Sequence, residues 1–167
     1  MSPKRGSRNA GRVQVRPATL ADARFLFELR NDPVTRAASF RQGELRYRDH
    51  VAWLTSRLAQ PERGTRVYVA LLGKRRVGQV RFDVAVPNVR EEIAIAVARS
   101  QRGRGLGGEI LTLAATTLAR TPRTLARIKP DNLASLGAFQ RAGFRKSGPL
   151  RIRPGPHVVL IYRSKPR

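Results

Sequence analysis

Four consecutive stretches decide the fold: Ile93-Ala-Ile-Ala-Val97, Ala98-Arg-Ser-Gln101, Arg102-Gly-Arg-Gly-Leu-Gly-Gly108 and Glu109-Ile-Leu-Thr-Leu-Ala-Ala-Thr-Thr-Leu118. The first is apolar and partly β-branched, which predicts a strand. The glycine-rich stretch predicts a loop and the last stretch a helix. Strand, glycine loop and helix in that order gather free backbone N–H groups and a helix N-terminus around an anion. Glycine lets the backbone come close to it, and the helix dipole favours negative charge there. The segment therefore reads as the cradle for the diphosphate of a cofactor.

The rest of the composition narrows the class. The chain has 167 residues, enough for one domain with its own core. Residues 1–11 are polar and basic and are expected to be a flexible tail, with one domain over 12–167. A hydrophobic content of 41% is too high for a disordered chain. No apolar run reaches the roughly 18 residues a membrane helix needs, and no apolar stretch follows the basic residues up to Arg12. A cytoplasmic protein without a membrane partner is expected. Cysteine is absent, which excludes disulfides, thiolate metal sites and a cysteine nucleophile. His50 and His157 are the only histidines, so no metal centre is expected.

The net charge is +23, from 34 Lys and Arg against 11 Asp and Glu. Such an excess points to an anionic partner: nucleic acid, a nucleotide-linked substrate or an acidic cofactor. A solvated basic surface is the plain alternative. The charge is spread from end to end with few aromatics between, so nucleic acid ranks below a small anion.

Val13 to Arg16 alternates as a short strand. Thr19-Leu-Ala-Asp22 reads as a capping box that opens a helix, with Leu20, Phe25, Leu26 and Leu29 on one face and Pro33 as its stop. A second helix is expected over Asp49–Leu58, burying Val51, Trp53 or Leu54, and Leu58. Arg66–Leu72 and Arg76–Val86, joined by Gly73–Arg75, predict a hairpin. Glu91–Val97 is a third strand of that region. Thr124–Ile128 and His157–Tyr162 predict strands, with a helix over Asn132–Ala142 between them. The order predicts an α+β, mixed sheet with helices on its faces.

Gly103-x-Gly105-x-x-Gly108 also fits a dinucleotide fingerprint. That fold needs an acidic residue on the next strand, and Thr124–Ile128 has none. Only about 60 residues follow the loop, too few for a doubly wound sheet. A purely structural glycine turn is the other alternative.

Arg102-x-x-Gly105-x-Gly107 resembles the acetyl-CoA loop of the GNAT superfamily of N-acetyltransferases. Asn132-Leu-Ala-Ser135-Leu-Gly-Ala-Phe139-Gln-Arg-Ala-Gly143-Phe144 resembles a second element of that family, in the expected order about 25 residues on. The resemblance spans roughly residues 13–164. It implies a mixed, mostly antiparallel, splayed sheet flanked by helices, and acetyl-CoA as cofactor. Backbone groups of Ile95, Ala96 and Val97 would pair with the pantetheine arm. N–H groups of Arg102, Gly103, Arg104, Gly105, Leu106, Gly107 and Gly108 would hold the pyrophosphate. Asn132 would bond the pantetheine as well as cap its helix. Ser135 and Phe139 would lie beside the cofactor.

Acetyl transfer to an amine needs a neutral amine, a donor for the oxyanion and a proton for the thiolate. Glu91 and Glu92 sit where the family strand often carries the glutamate that deprotonates the amine. Strand alternation groups Glu91 with Ile93, Ile95 and Val97, whereas a bulge would hand the role to Glu92. Two solvated charges are the plain alternative. Phe139 stands where the family often has a tyrosine acid, which leaves water, Tyr162 or no acid at all. Arg127 stands where the ribosomal-protein alanine acetyltransferases often have a glutamate, which speaks against a peptide acceptor. With no cysteine to carry an acyl group, transfer is direct.

The acceptor side is expected in the N-terminal half. Leu29-Arg-Asn-Asp-Pro33-x-x-Arg36-x-x-Ser39 and His50-x-x-Trp53-Leu54 resemble GNAT enzymes that acetylate nucleotide-linked amino sugars. The resemblance assigns Arg30, Asn31, Arg36, His50 and Trp53 to substrate, with Arg41 beside the arginines. Guanidinium groups suit a diphosphate and Trp53 could stack on a ring or fill the core. The alternatives are a protein amine as acceptor, a basic nucleic-acid-binding module without catalysis, and an acyl-CoA sensor. The chain is expected to be a monomer or a homodimer.

Overall fold

The computed structural model describes residues 11–60, 64–86, 90–147 and 157–163. The expected tail over 1–10 lies outside them. The elements in order are β1 (Val13–Pro17), α1 (Ala23–Asn31), α2 (Pro33–Ala38), α3 (Tyr47–Ala59), β2 (Arg66–Leu72), β3 (Arg75–Val86), β4 (Arg90–Val97), α4 (Leu106–Thr117), β5 (Arg123–Ile128), α5 (Leu133–Arg141), β6 (Arg145–Lys146) and β7 (Val158–Arg163). The strands form one sheet in the order β1-β2-β3-β4-β5-β7-β6. Every neighbour is antiparallel except β4 and β5, which run parallel. The mixed, mostly antiparallel sheet expected from the sequence is therefore present.

Alternation along the strands builds two cores. Tyr68, Ala70, Val80, Phe82 and Ile93 point to the face covered by α4 and α5, which add Leu106, Ile110, Leu111, Ala114, Ala138 and Phe139. Val67 and Val69 point to the other face and meet Ala23 and Leu26 of α1 and Leu54 of α3. Burying a leucine this fully contributes roughly 1.5–3 kcal/mol, so each helix pair is held mainly by its apolar face.

The one parallel pairing among the described residues is short. Arg90, Glu91 and Glu92 pair with Arg123, Thr124 and Leu125, and beyond Glu92 the two strands diverge. The half of β4 from Ile93 to Val97 pairs with β3 alone. A wedge opens there between β4 and β5, with the glycine loop at its rim.

Several local expectations are corrected. The Thr19–Asp22 capping box exists, with Asp22 accepting from the Thr19 N–H at 2.9 Å, but it opens a single 3-10 turn. That turn has a tighter period than an α-helix, so Leu20 leaves the apolar face and is 53% exposed. Pro33 ends α1 and also begins α2, for which Asp32 is the cap. A proline at the first helical position costs nothing, because its N–H would have no partner there. In α3, Leu54 is buried and Trp53 only half-buried. α4 starts three residues before Glu109.

Candidate active site

The loop between β4 and α4 is built for close backbone approach. Gly103 and Gly105 have φ of 74° and 77°, a region that side-chain-bearing residues rarely adopt. Gly105 is the N-cap of α4, so the loop delivers the helix N-terminus to the wedge. At Gly108 an added Cβ would meet no protein atom within 4 Å; at Gly107 it would only touch Ile95, Val97 and Ala138. Neither glycine is needed for packing alone, and both leave room for a ligand. The first N–H groups of α4 have no intrahelical partner, which suits an anion. Two of the expected donors are already used: the Arg102 N–H bonds Arg99 O and the Gly108 N–H bonds Gly105 O.

Arg102 contributes a side chain that turns away from this cradle. Its Nε donates to Val97 O (3.0 Å), and its Nη2 donates to Asp32 Oδ1 (2.6 Å) and Thr35 Oγ1 (3.2 Å). Asp32 also accepts from the Thr35 N–H at 3.0 Å. The glycine loop is thereby bolted to the start of α2. The other end of α2 is tied to β5, because Lys129 Nζ donates to Ala37 O at 2.6 Å. Helix α2 thus bridges the two sides of the wedge.

Asn132 caps α5, accepting from the Ser135 N–H at 3.1 Å, and Ser135 is half-buried beside it. Phe139 is a core residue, 4% exposed, packed edge-on to Phe144 at 5.0 Å. Tyr162 lies against Phe144 and Gly143 on that same face.

The two glutamates part company. Glu91 keeps the alternation expected of it, but its face is the core side under α4. It is 5% exposed, and Arg66 Nη2 donates to its Oε1 (2.5 Å) while the Arg120 N–H donates to its Oε2 (2.8 Å). Arg66 itself is anchored by Tyr68 Oη and Leu118 O. Glu92 faces the opposite side, the one that α1 covers. Both of its oxygens accept from Arg127 Nε, at 2.9 and 3.0 Å, and Arg127 Nη2 lies 2.9 Å from Oε2. Neither is a solvated strand-end charge. The irregularity in pairing falls on β3, between Val84 and Val86, and leaves β4 itself regular.

On that same face the register sets Arg81 beside Val67 and Ala94, and Asp83 beside Glu92. Arg127 also stacks its guanidinium on Phe40 at 5.4 Å. Of the residues expected to meet substrate, Arg30 is half-buried. Its Nη2 donates to Arg41 O (2.5 Å) and its Nη1 is buried without a partner. Burial, then the charges of Arg81 and Arg36, hold the Arg30 guanidinium below its usual basicity. Arg36 meets the exposed Glu44 through Nη1, while its Nε is buried without a partner. Asn31 is committed to the chain, exchanging two hydrogen bonds with Leu45. His50 is 4% exposed between Phe27 and Trp53, its Nε2 unpartnered. Burial, and secondly the Arg30 charge, push its pKa down. Phe40, Arg81 and Lys129 carried no sequence signal: each reaches the site through a contact distant along the chain. Among the described residues no group of three His, Asp or Glu could hold a metal, and no helix is long and apolar enough to cross a membrane.

Comparison with known proteins agrees with this geometry. A family model described as an acetyltransferase (GNAT) domain matches residues 12–145. Aminoglycoside N(6')-acetyltransferase type 1 of Klebsiella pneumoniae is 26% identical over 110 residues, 56% of this chain. The match spans 54% of that relative, so the chain covers about half the length of the curated relatives it resembles. An aminoglycoside acetyltransferase solved with coenzyme A and kanamycin superposes with a TM-score of 0.76 at 22% identity, over 90% of this chain and 94% of the other. Spermidine N-acetyltransferase of Vibrio cholerae, solved with coenzyme A and spermine, gives 0.74 at 17% identity, over 90% and 93%. With the fold, the loop and the matched residues in agreement, the chain belongs to the acetyltransferase (GNAT) domain family.

Proposed function

We propose that this chain is an acetyl-CoA-dependent N-acetyltransferase whose preferred acceptor is a primary amine on a nucleotide-linked sugar. The observation that carries the transferase reading is the wedge between β4 and β5, rimmed by a helix N-terminus reached through two positive-φ glycines. Backbone groups of Ile95–Val97 would take the pantetheine arm as an added strand, and Asn132 and Ser135 would flank it. N–H groups of residues 103–107 would hold the diphosphate. Acetyl-CoA supplies the activated acetyl group.

Glu92 is assigned the proton-accepting role, because it faces the acceptor side next to the diverging strands. Arg127 holds it in place and must yield one oxygen for the amine. Glu91 is assigned to structure, since both oxygens are engaged in the core. Arg30 and Arg36 would meet anionic groups of the acceptor, with His50 and Trp53 lining the wall behind them.

Charge supports the acceptor class. Kanamycin and spermine are polycations at neutral pH, whereas here Arg30, Arg36, Arg81 and Arg127 line the acceptor side and the carboxylates Asp32, Glu44, Asp83 and Glu92 are each already paired with an arginine. Like charge repels a polycation at that distance. Incubation with labelled acetyl-CoA and each class in turn tests this: label in an amino-sugar nucleotide is expected, and label only in protein, polyamine or aminoglycoside would refute the acceptor.

One observation favours a second reading, a nucleic-acid-binding module. Arg90, Arg123 and Arg163 lie in register on three adjacent strands. Like charges opposite one another destabilise a sheet unless an anion lies across them. Binding to DNA or RNA that falls steeply with salt, without turnover of any amine, would favour it.

A further inference from the structure

Arg81 was not singled out by any sequence pattern, yet it completes a group of three guanidiniums on the acceptor side. Its position follows from register: it pairs with Val67 and Ala94, on the face that packs against α1. Arg30 comes from α1 and Arg36 from α2. Helix α1 packs on both α2 and β3, and the charges of Arg81 and Arg36 add to burial in lowering the basicity of Arg30.

Their counter-charges do not balance them. Arg81 shares Asp83, whose other oxygen accepts from Thr65 Oγ1. Arg36 has Glu44, whose side chain is 74% exposed, and an ion pair that wet contributes little. Arg30 has no carboxylate partner among the described residues, only the Arg41 carbonyl. Two N–H donors of the group, Arg30 Nη1 and Arg36 Nε, are buried with nothing to bond. A buried donor on a cation left unsatisfied costs about 1–3 kcal/mol or more, so each of the two calls for an acceptor.

We infer that Arg30, Arg36 and Arg81 form a subsite for a phosphate-type dianion carried by the acceptor, with Arg81 as a specificity-determining residue. The inference rests on the reading of this face as the acceptor side. It goes further in naming the group that is recognised and the residue that completes the recognition. Planar guanidiniums bind phosphate oxygens in pairs, and an anion held between α1 and α2 would supply the acceptors that the orphan N–H groups lack. A nucleotide and a phosphorylated sugar both carry such a phosphate; the chemistry that is read is shared.

The probe is inorganic pyrophosphate, added to the full chain already saturated with acetyl-CoA so that the glycine loop is filled. A ligand of the native state raises its melting temperature. A further rise with pyrophosphate is expected, together with competition against the acceptor and none against acetyl-CoA. Arg81→Gln and Arg30→Gln should weaken pyrophosphate about tenfold or more, the loss expected for one charge-assisted bond. Lys74→Gln, an exposed change in the β2–β3 turn, should leave it unchanged. Circular dichroism separates a lost site from a lost fold, and Arg81→Lys keeps the charge if Arg81→Gln does not fold. UMP against a sugar phosphate then tells the two sources apart. A rise with acetyl-CoA and none with pyrophosphate overturns the subsite alone, as does equal weakening by Lys74→Gln. No rise with acetyl-CoA overturns the transferase reading beneath it.

Discussion

Arg102 and Asp32 lie 70 residues apart in sequence and 2.6 Å apart in space, and their contact joins the glycine loop to the first turn of α2. A displaced Arg102 would free α2 from one side of the wedge. Asp32→Asn keeps an N-cap but removes the charge. It should raise the acceptor KM about tenfold, the worth of one charge-assisted bond, with a smaller change for acetyl-CoA. Asp32→Ala should cost roughly a further 1 kcal/mol of stability through the lost cap. Initial rates with both substrates varied, plus thermal melts, check both. Equal effects on the two KM values would show that the contact serves the fold generally.

Gly105 and Gly108 separate backbone strain from ligand room. Gly105→Ala forces a Cβ into a left-handed conformation at about 1–2 kcal/mol and should lower both Tm and acetyl-CoA affinity. Gly108→Ala meets no protein atom within 4 Å, so Tm should hold while affinity falls. Titration calorimetry on both variants reads the contrast. Unchanged affinity in Gly108→Ala would show that the ligand keeps clear of the open side of Gly108, and unchanged affinity in Gly105→Ala as well would place the diphosphate elsewhere.

The glutamates should also split. Glu91→Gln leaves Arg66 buried beside a neutral group and should cost about 3–5 kcal/mol. At this length that is roughly 6–20 °C of Tm. Glu92→Gln should change Tm far less and lower kcat at neutral pH by about 100-fold or more. Activity lost in Glu91→Gln with Tm intact would reverse the assignment.

Acid should destabilise the fold in two steps. His50 is held below its usual pKa by burial, so its folded form resists protonation while the unfolded chain accepts it. That contribution is complete above about pH 6.5 and declines as pH falls through the lower folded value. Hydrogen bonds from Arg16 hold Asp22 down at about 2, so its contribution is complete above about pH 4 and lost as pH falls toward 2. After discounting for half-wet Arg16 this is worth about 1–2 kcal/mol. Urea melts across pH should show both slopes, and His50→Phe should remove only the upper one.

Much of this was legible in the chain because it is local. The glycine loop, the β2–β3 hairpin and the Asn132 cap each announce themselves within a few residues. The rest depends on pairs far apart. Alternation placed Glu91 with Ile93, but which face is core depends on Arg66, 25 residues away. Helix α2 was hidden because Pro33 reads as a stop when Asp32 makes it a start. β6 has two residues, too few for a period. Arg81 looks like any solvent arginine until the register of three strands turns it to the face that α1 covers.

On the function proposed here, the loop from Gly103 to Gly107 grips the diphosphate of acetyl-CoA at the mouth of the β4–β5 wedge. A crystal structure with acetyl-CoA bound tests it most directly. Diphosphate oxygens within hydrogen-bond distance of those N–H groups, with the acetyl group between β4 and β5, are the expected result. Acetyl-CoA bound on another surface, or a loop left empty at saturating concentration, would contradict it.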